Sequence, residues 1–142
     1  MYNRRALMIL NHSLYRTDRY TQSEALKLAW QLAKQPLTLK AAGVTFENRQ
    51  AALQHLTHYS RYHIALLLRR ENNPFDANAI QVIAYVAGKG FYPVGHLPRE
   101  WAAVFAPLLD RNLSVRAEYE SVIGGAGYGK GKYGLRMKVR VA

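Results

Sequence analysis

The chain of 142 residues contains no cysteine. That excludes disulfides and thiolate metal sites, and it fits a reducing, cytoplasmic setting. Acidic residues are scarce, nine against twenty Lys and Arg. A metal-dependent nuclease needs converging carboxylates to hold its cations. Here only Glu118 and Glu120 form a close pair on one strand face. No apolar run approaches the roughly 20 residues of a membrane span, so no membrane partner is expected. The run 6–10 behind Arg4 and Arg5 is also too short for a signal peptide. His55, His58 and His63 lack cysteine companions, and their spacing crosses an expected helix–strand junction, so no metal or other cofactor is expected.

What the chain has in excess is positive charge. A formal net charge of +11 on so small a protein marks a polyanion partner, above all nucleic acid. The chain is the length of one ordinary domain, and its apolar content of 49% supports a packed core.

Residues 4–35 read as helical. Leu7, Leu10 and Leu14 share one face, and Thr21-Gln22-Ser23-Glu24 is a capping-box pattern opening a second helix that Pro36 ends. That second helix is apolar nearly all round. It must pack either on the following domain or on a partner protein or second copy of the chain. The expected division is therefore a helical extension, 1–36, and a β domain, 37–142. Strands are expected at 37–46, with Gly43 a bulge, and from Tyr62 to Arg69, where Tyr62, Ile64, Leu66 and Leu68 alternate with the residues between them. Further strands are expected at 80–85, at 92–96 after a Lys89-Gly90 turn, from Val115, and from Leu135 to the end. Residues 48–56 suit a short helix, and Pro98 opens a helix that Pro107 kinks or ends early. The fold class is mostly β with α, a small six-stranded OB-like barrel with one inserted helix.

The densest chemistry lies in the loop after Arg69-Arg70. Pro74 pushes Asn73 to extended geometry, while Asp76 and Asn78 can bond neighbouring amides. Phe75 at the apex could pack under its own loop or stack on a nucleobase, which contributes about 1–3 kcal/mol. A carboxylate repels phosphodiesters, so a role for Asp76 at nucleic acid requires a hydroxyl or base amine to donate to it, as a terminal 3′-OH would. A second cationic feature is the last strand. Arg136, Lys138 and Arg140 project from one face, preceded by Lys130 and Lys132 in a glycine-rich loop. Such a row can track a phosphate backbone, or it can pair with Glu118 and Glu120 across the sheet.

The stretch Arg70-Glu71-Asn72-Asn73-Pro74-Phe75-Asp76-Ala77-Asn78-Ala79-Ile80, followed by Val94-Gly95-His96-Leu97-Pro98-Arg99, resembles the HIRAN domain. The family shows an arginine–acid pair, Asn-Pro-Tyr-Asp, Asn-Ala-Ile, a strand, then Gly-x-Leu-Pro and a helix. The resemblance runs from about Gly43 to the C-terminus. HIRAN domains accompany DNA-repair and fork-remodelling ATPases and stand alone in bacteria and phages. The resemblance implies an OB-type barrel that binds DNA, in some members the free 3′ end of a single strand. It assigns the end nucleotide to Phe75 and Asp76, with Phe here where Tyr is usual, and Asn73 beside them is a further candidate DNA-binding residue. A family arginine–tyrosine pair falls on Thr45 and Phe46, so the aromatic is kept and the cation is lost. Arg49 is nearby, but nothing in the sequence requires it to take the cation's place. The resemblance further places His96, Arg99 and Tyr133 at the DNA.

Enzyme motifs come close and fail. Gly124-x-x-x-x-Gly129-Lys130 mimics a phosphate-binding loop, but Gly131 stands where Ser or Thr should hold magnesium, and a strand follows instead of a helix. Lys89-Gly90-Phe91-Tyr92 resembles the start of an RNA-recognition strand until Pro93 interrupts it. The expected function is non-enzymatic binding of nucleic acid, DNA favoured, single-stranded or at a 3′ end. The alternatives are protein docking through residues 4–35 and, more remotely, a nuclease.

Overall fold

The computed structural model describes residues 3–46, 48–124 and 132–141. Helix α1, Arg4–Arg16, starts where Asn3 Oδ1 accepts from the Ala6 N–H at 3.1 Å. Helix α2, Gln22–Lys34, opens on the expected capping box: Thr21 Oγ1 accepts from the Glu24 N–H at 3.2 Å, and Glu24 Oε1 accepts from the Thr21 N–H at 3.0 Å. These reciprocal bonds satisfy amides that a helix start leaves unpaired. The same bonds hold the Glu24 carboxyl below its ordinary pKa.

The two helices pack on each other. α1 also rests on α4, Arg99–Asp110, and α2 rests on β6, Tyr133–Val141. Leu7, Leu10 and Leu14 of α1 and Ala25, Ala29 and Leu32 of α2 enter the same buried core as Phe105, Val82 and Met137. These apolar faces of the extension are thus covered by the protein's own domain, while Leu26 and Trp30 on another side of α2 stay 40% exposed. Each fully buried leucine contributes about 1.5–3 kcal/mol, enough to hold two 13-residue helices that would be marginal alone.

Six strands follow, as the alternating pattern predicts. They form two antiparallel sheets of three, in the orders β1-β6-β5 and β2-β3-β4. The first contains β1 (Leu37–Lys40), β6 and β5 (Val115–Gly124). The second contains β2 (Ile64–Arg70), β3 (Ile80–Val86) and β4 (Gly90–His96). Leu135, Met137 and Val139 of β6 and Val82, Ala84 and Val86 of β3 are all buried in the one core.

The result is OB-like, although no continuous ladder closes it among the described residues. At one seam a single bridge joins the sheets. The Ala42 N–H donates to His96 O at 2.7 Å, and the His96 N–H donates to Ala42 O at 2.8 Å. At the other, β2 lies against β5 without a ladder. The bridge explains Gly95. A β-carbon there would stand 2.7 Å from Ala42 O, so only glycine lets the two backbones meet.

Three expectations are corrected. β1 stops at Lys40 and does not reach residue 46, because Gly43 adopts φ +66° and turns the chain towards α3, Arg49–Leu56. The two helices between the strands, α3 and α4, fall where the short helix at 48–56 and the helix opened by Pro98 are expected. Tyr62 belongs to a single 3-10 turn, Arg61–His63, so β2 starts at Ile64. Helix α4 runs on through Pro107 to Asp110.

Candidate nucleic-acid interface

The loop between β2 and β3 is held at its base and at its tip. At the base, Arg70 donates to Asp110 Oδ1 at 2.8 Å, to Ala79 O at 2.9 Å and to Ala77 O at 2.9 Å. At the tip, Asn73 Oδ1 accepts from the Phe75 N–H at 2.8 Å, and Asp76 Oδ1 accepts from the Asn78 N–H at 2.9 Å. The two side chains act as local turn formers, as their residue types predict. Phe75 is left at the apex with 87% of its surface exposed. A ring in water on a loop this well bonded gives up burial that a mobile loop could regain, so its position is suited to a ligand. Arg99 Nη2 reaches back from the start of α4 to Phe75 O at 3.3 Å.

Beside this loop lies a cleft of about 460 Å³ at the Ala42–His96 seam. Phe46, Arg49, Asn73, Asp76, His96 and Arg99 all line it. Five of these are residues that sequence reasoning placed at nucleic acid. They come from four separated parts of the chain: the β1–α3 turn, the β2–β3 loop, the end of β4 and the start of α4. Phe46, 65% exposed, supplies a second aromatic surface.

Arg49 is the sixth, and it is only 6% exposed. Its Nη1 donates to Gly43 O at 2.7 Å and lies 3.2 Å from His96 Nδ1. A guanidinium has no acceptor, so Nδ1 must accept, and the ring proton belongs on Nε2. His96 Nε2 is in contact with Glu71 Oε2 and donates to it. Arg49 therefore has no carboxylate of its own among the described residues, and its Nε is buried without a partner. A cation so placed creates positive potential in the cleft. The sequence raises Arg49 without a feature that assigns it, because an arginine opening a short helix ordinarily faces water.

Gln50, one residue on, locks this corner. Its amide accepts from the Tyr133 N–H at 2.7 Å and donates to Tyr133 O at 2.8 Å and to Val44 O at 3.0 Å. The side chain thus acts as a short strand segment joining α3 to the start of β6.

A family model for the HIRAN domain matches residues 36–134. The chain belongs to the HIRAN domain family. No curated protein and no solved structure matches it. HIRAN domains are nucleic-acid-binding modules rather than catalytic ones, which agrees with a cleft built from aromatic rings and cations. The match covers β1 to the start of β6 and leaves α1 and α2 outside it.

Tyr133, Arg136 and Lys138, also expected at the site of this HIRAN domain, do not line the cleft. Tyr133 is half-buried against the core and does not line it. Arg136 and Lys138 project from the outer face of β6, opposite the buried Leu135, Met137 and Val139. The pairing alternative is realised in part: Arg140 Nε meets Glu118 Oε1 at 2.6 Å, and Lys138 Nζ lies 3.7 Å from Glu120 Oε1. Arg136 makes no ion pair among the described residues and sits in register with Lys40 of β1. Like charges directly opposite each other disfavour the sheet unless an anion lies between them. Lys40 was missed at the level of sequence, because only the register brings it to Arg136. The pair is at the seam end of the sheet, where the Ala41 N–H donates to Leu135 O at 2.9 Å. Lys132 precedes β6, and Lys130 lies outside the described residues.

Proposed function

We propose that this HIRAN protein holds the end of a single DNA strand in the seam cleft, without catalysing a reaction on it. The reading rests on one observation: Phe46, Asn73, Asp76, His96 and Arg99 converge on a single cleft with the buried, carboxylate-free Arg49. In this arrangement Phe75 and Phe46 stack on the terminal bases. Arg49 and Arg99 take phosphate oxygens through charge-assisted hydrogen bonds.

Asp76 gives the reading its polarity. One of its oxygens accepts from Asn78, and an ionised carboxylate has about four acceptor positions, so it can take one more donor. A 3′-hydroxyl is such a donor, whereas a 3′-phosphate would bring a repelling charge. The setting that suits an end binder is DNA repair or replication.

The test compares binding of one oligonucleotide with a 3′-OH, the same strand with a 3′-phosphate, and a blunt duplex. The hydroxyl end should bind tightest, and Asp76→Asn should narrow its margin over the phosphate end. Equal affinity for all three would refute end recognition.

A further inference from the structure

A second groove lies outside the family cleft. It has a volume of about 560 Å³ and separates α1 from α4. Met8, Ile9, His12 and Arg16 of α1 form one wall, and Asn78 closes one side. Ala103, Pro107, Asp110 and Arg111 form the other wall. Three observations bear on its use.

The first is continuity. Arg99 lines the seam cleft, while Ala103, Pro107 and Arg111 line the groove. Spaced by four, each of these residues neighbours the next along α4, with Arg111 at its C-cap. From Arg99 to Arg111 that row is about 18 Å long at 1.5 Å per residue, the length of roughly five phosphate steps at duplex spacing. The β2–β3 loop is the ridge between the two depressions. It presents Asp76 to the cleft and Asn78 to the groove, and Phe75 is exposed at its apex.

The second is charge. The only acid lining the groove, Asp110, is paired with Arg70 at 2.8 Å. Arg111 donates to Pro107 O at 2.9 Å and meets no carboxylate, and Arg16 makes no hydrogen bond or ion pair among the described residues. The third is the floor. Small and apolar side chains, Ala103, Pro107 and Ile9, leave room for flat groups between the cationic ends.

We infer that the α1–α4 groove is a second nucleic-acid subsite, which carries the strand onward from the end held in the seam cleft. Phe75 stacks where the strand crosses the ridge, and Arg16 and Arg111 take its backbone phosphates. The helical extension thus has a binding role in addition to its packing role. This inference rests on the strand-end reading for its starting point, but its test separates the two.

The test uses labelled single strands of about three and about ten nucleotides, within and beyond the reach of one cleft. They are titrated with the wild type, with Arg16→Gln/Arg111→Gln and with Ala103→Glu. The ten-mer should bind the wild type more tightly than the trimer. Releasing two phosphate contacts at about 0.7 counterions each should cost the double variant roughly twentyfold in ten-mer affinity at 0.1 M salt and reduce its salt slope by about 1.4. Ala103→Glu places a carboxylate midway along the groove and should weaken the ten-mer as well. Neither variant should change trimer binding. Wild-type affinity for the ten-mer in both variants would overturn the inference, as would equal binding of trimer and ten-mer by the wild type. A wild type that binds only the ten-mer, and loses it in both variants, would leave the groove standing and remove the strand-end reading.

Discussion

Replacing Arg49 by methionine distinguishes a structural arginine from a ligand-binding one. The substitution removes the guanidinium of a residue that is only 6% exposed, and Met can fill much of the vacated volume. Two hydrogen bonds go, to Gly43 O at 2.7 Å and to His96 Nδ1 at 3.2 Å. Each bond from a charged donor contributes about 1.5–3 kcal/mol, and both acceptors line or adjoin an open cleft where water can replace the donor. Against this loss stands relief from burying a cation with no carboxylate of its own, a penalty of several kcal/mol. The opposing terms are similar in size, so stability should shift by no more than about 2 kcal/mol.

Binding has no such cancellation. If Arg49 takes a phosphate, its loss costs about 1.5–3 kcal/mol, roughly 10- to 150-fold in affinity. The salt slope should also fall by about 0.7. Arg49→Lys keeps the charge but loses the fork, so it should fall between the two. Anisotropy of a labelled single strand across a salt series, beside urea denaturation of each variant, reads both quantities. An Arg49→Met protein that loses more than about 3 kcal/mol of stability yet binds with the wild-type affinity and salt slope would refute the reasoning and return Arg49 to a purely structural role.

Gly95→Ala should destabilise the fold by about 1–3 kcal/mol in urea denaturation, because its β-carbon would meet Ala42 O at 2.7 Å and force the seam apart. Phe75→Ala should leave stability within about 0.5 kcal/mol, since the ring is 87% exposed, while oligonucleotide binding falls by about 1–3 kcal/mol and Phe75→Tyr retains it. The α2 cap makes stability pH-dependent. The Glu24 carboxyl is lowered in the folded state by its bonds with Thr21, so that contribution is present above the unfolded pKa near 4.5 and disappears as pH falls through the folded value. Thermal melting from pH 6 down to pH 2.5 should show a smaller loss for Glu24→Gln than for the wild type.

Much of this architecture is written in local signals. The Thr21–Glu24 cap, the alternation in β3 and β6, and the turn chemistry of Asp76 all act over a few residues, and each appears where the sequence predicts it. What was illegible depends on contacts between distant segments. The single-bridge seam cannot be read from β4 alone, because Gly95 acquires its meaning only from Ala42 crossing it. The inward turn of Arg49 depends on Gly43 O and His96, six and 47 residues away. The Lys40–Arg136 juxtaposition exists only through strand register. Alternation alone could not decide whether β6 charges pair or remain open, and the answer is divided: Lys138 and Arg140 meet acids while Arg136 does not.

The placement of Glu71 gives the cleft its electrostatic character. A carboxylate bonded directly to Arg49 would satisfy the cation and cancel its field, leaving a neutral floor that a phosphate would have no reason to enter. Instead the imidazole of His96 stands between them, accepting from Arg49 on Nδ1 and donating to Glu71 from Nε2. The ring passes hydrogen-bond orientation along the chain while keeping the negative charge a ring's width from the guanidinium. The fold thereby gains enough compensation to tolerate a buried arginine. The unpartnered Nε remains a polar atom whose need neither the imidazole nor the carboxylate meets. The same ring sits on the residue whose backbone makes the only bridge between the two sheets among the described residues, so the groups that would face a nucleotide are fixed by the contact that holds the barrel together at that seam. If the cleft binds an anion as proposed, a ligand that draws on Arg49 touches the residue that makes the seam, and binding there should alter the cohesion between the two sheets through His96.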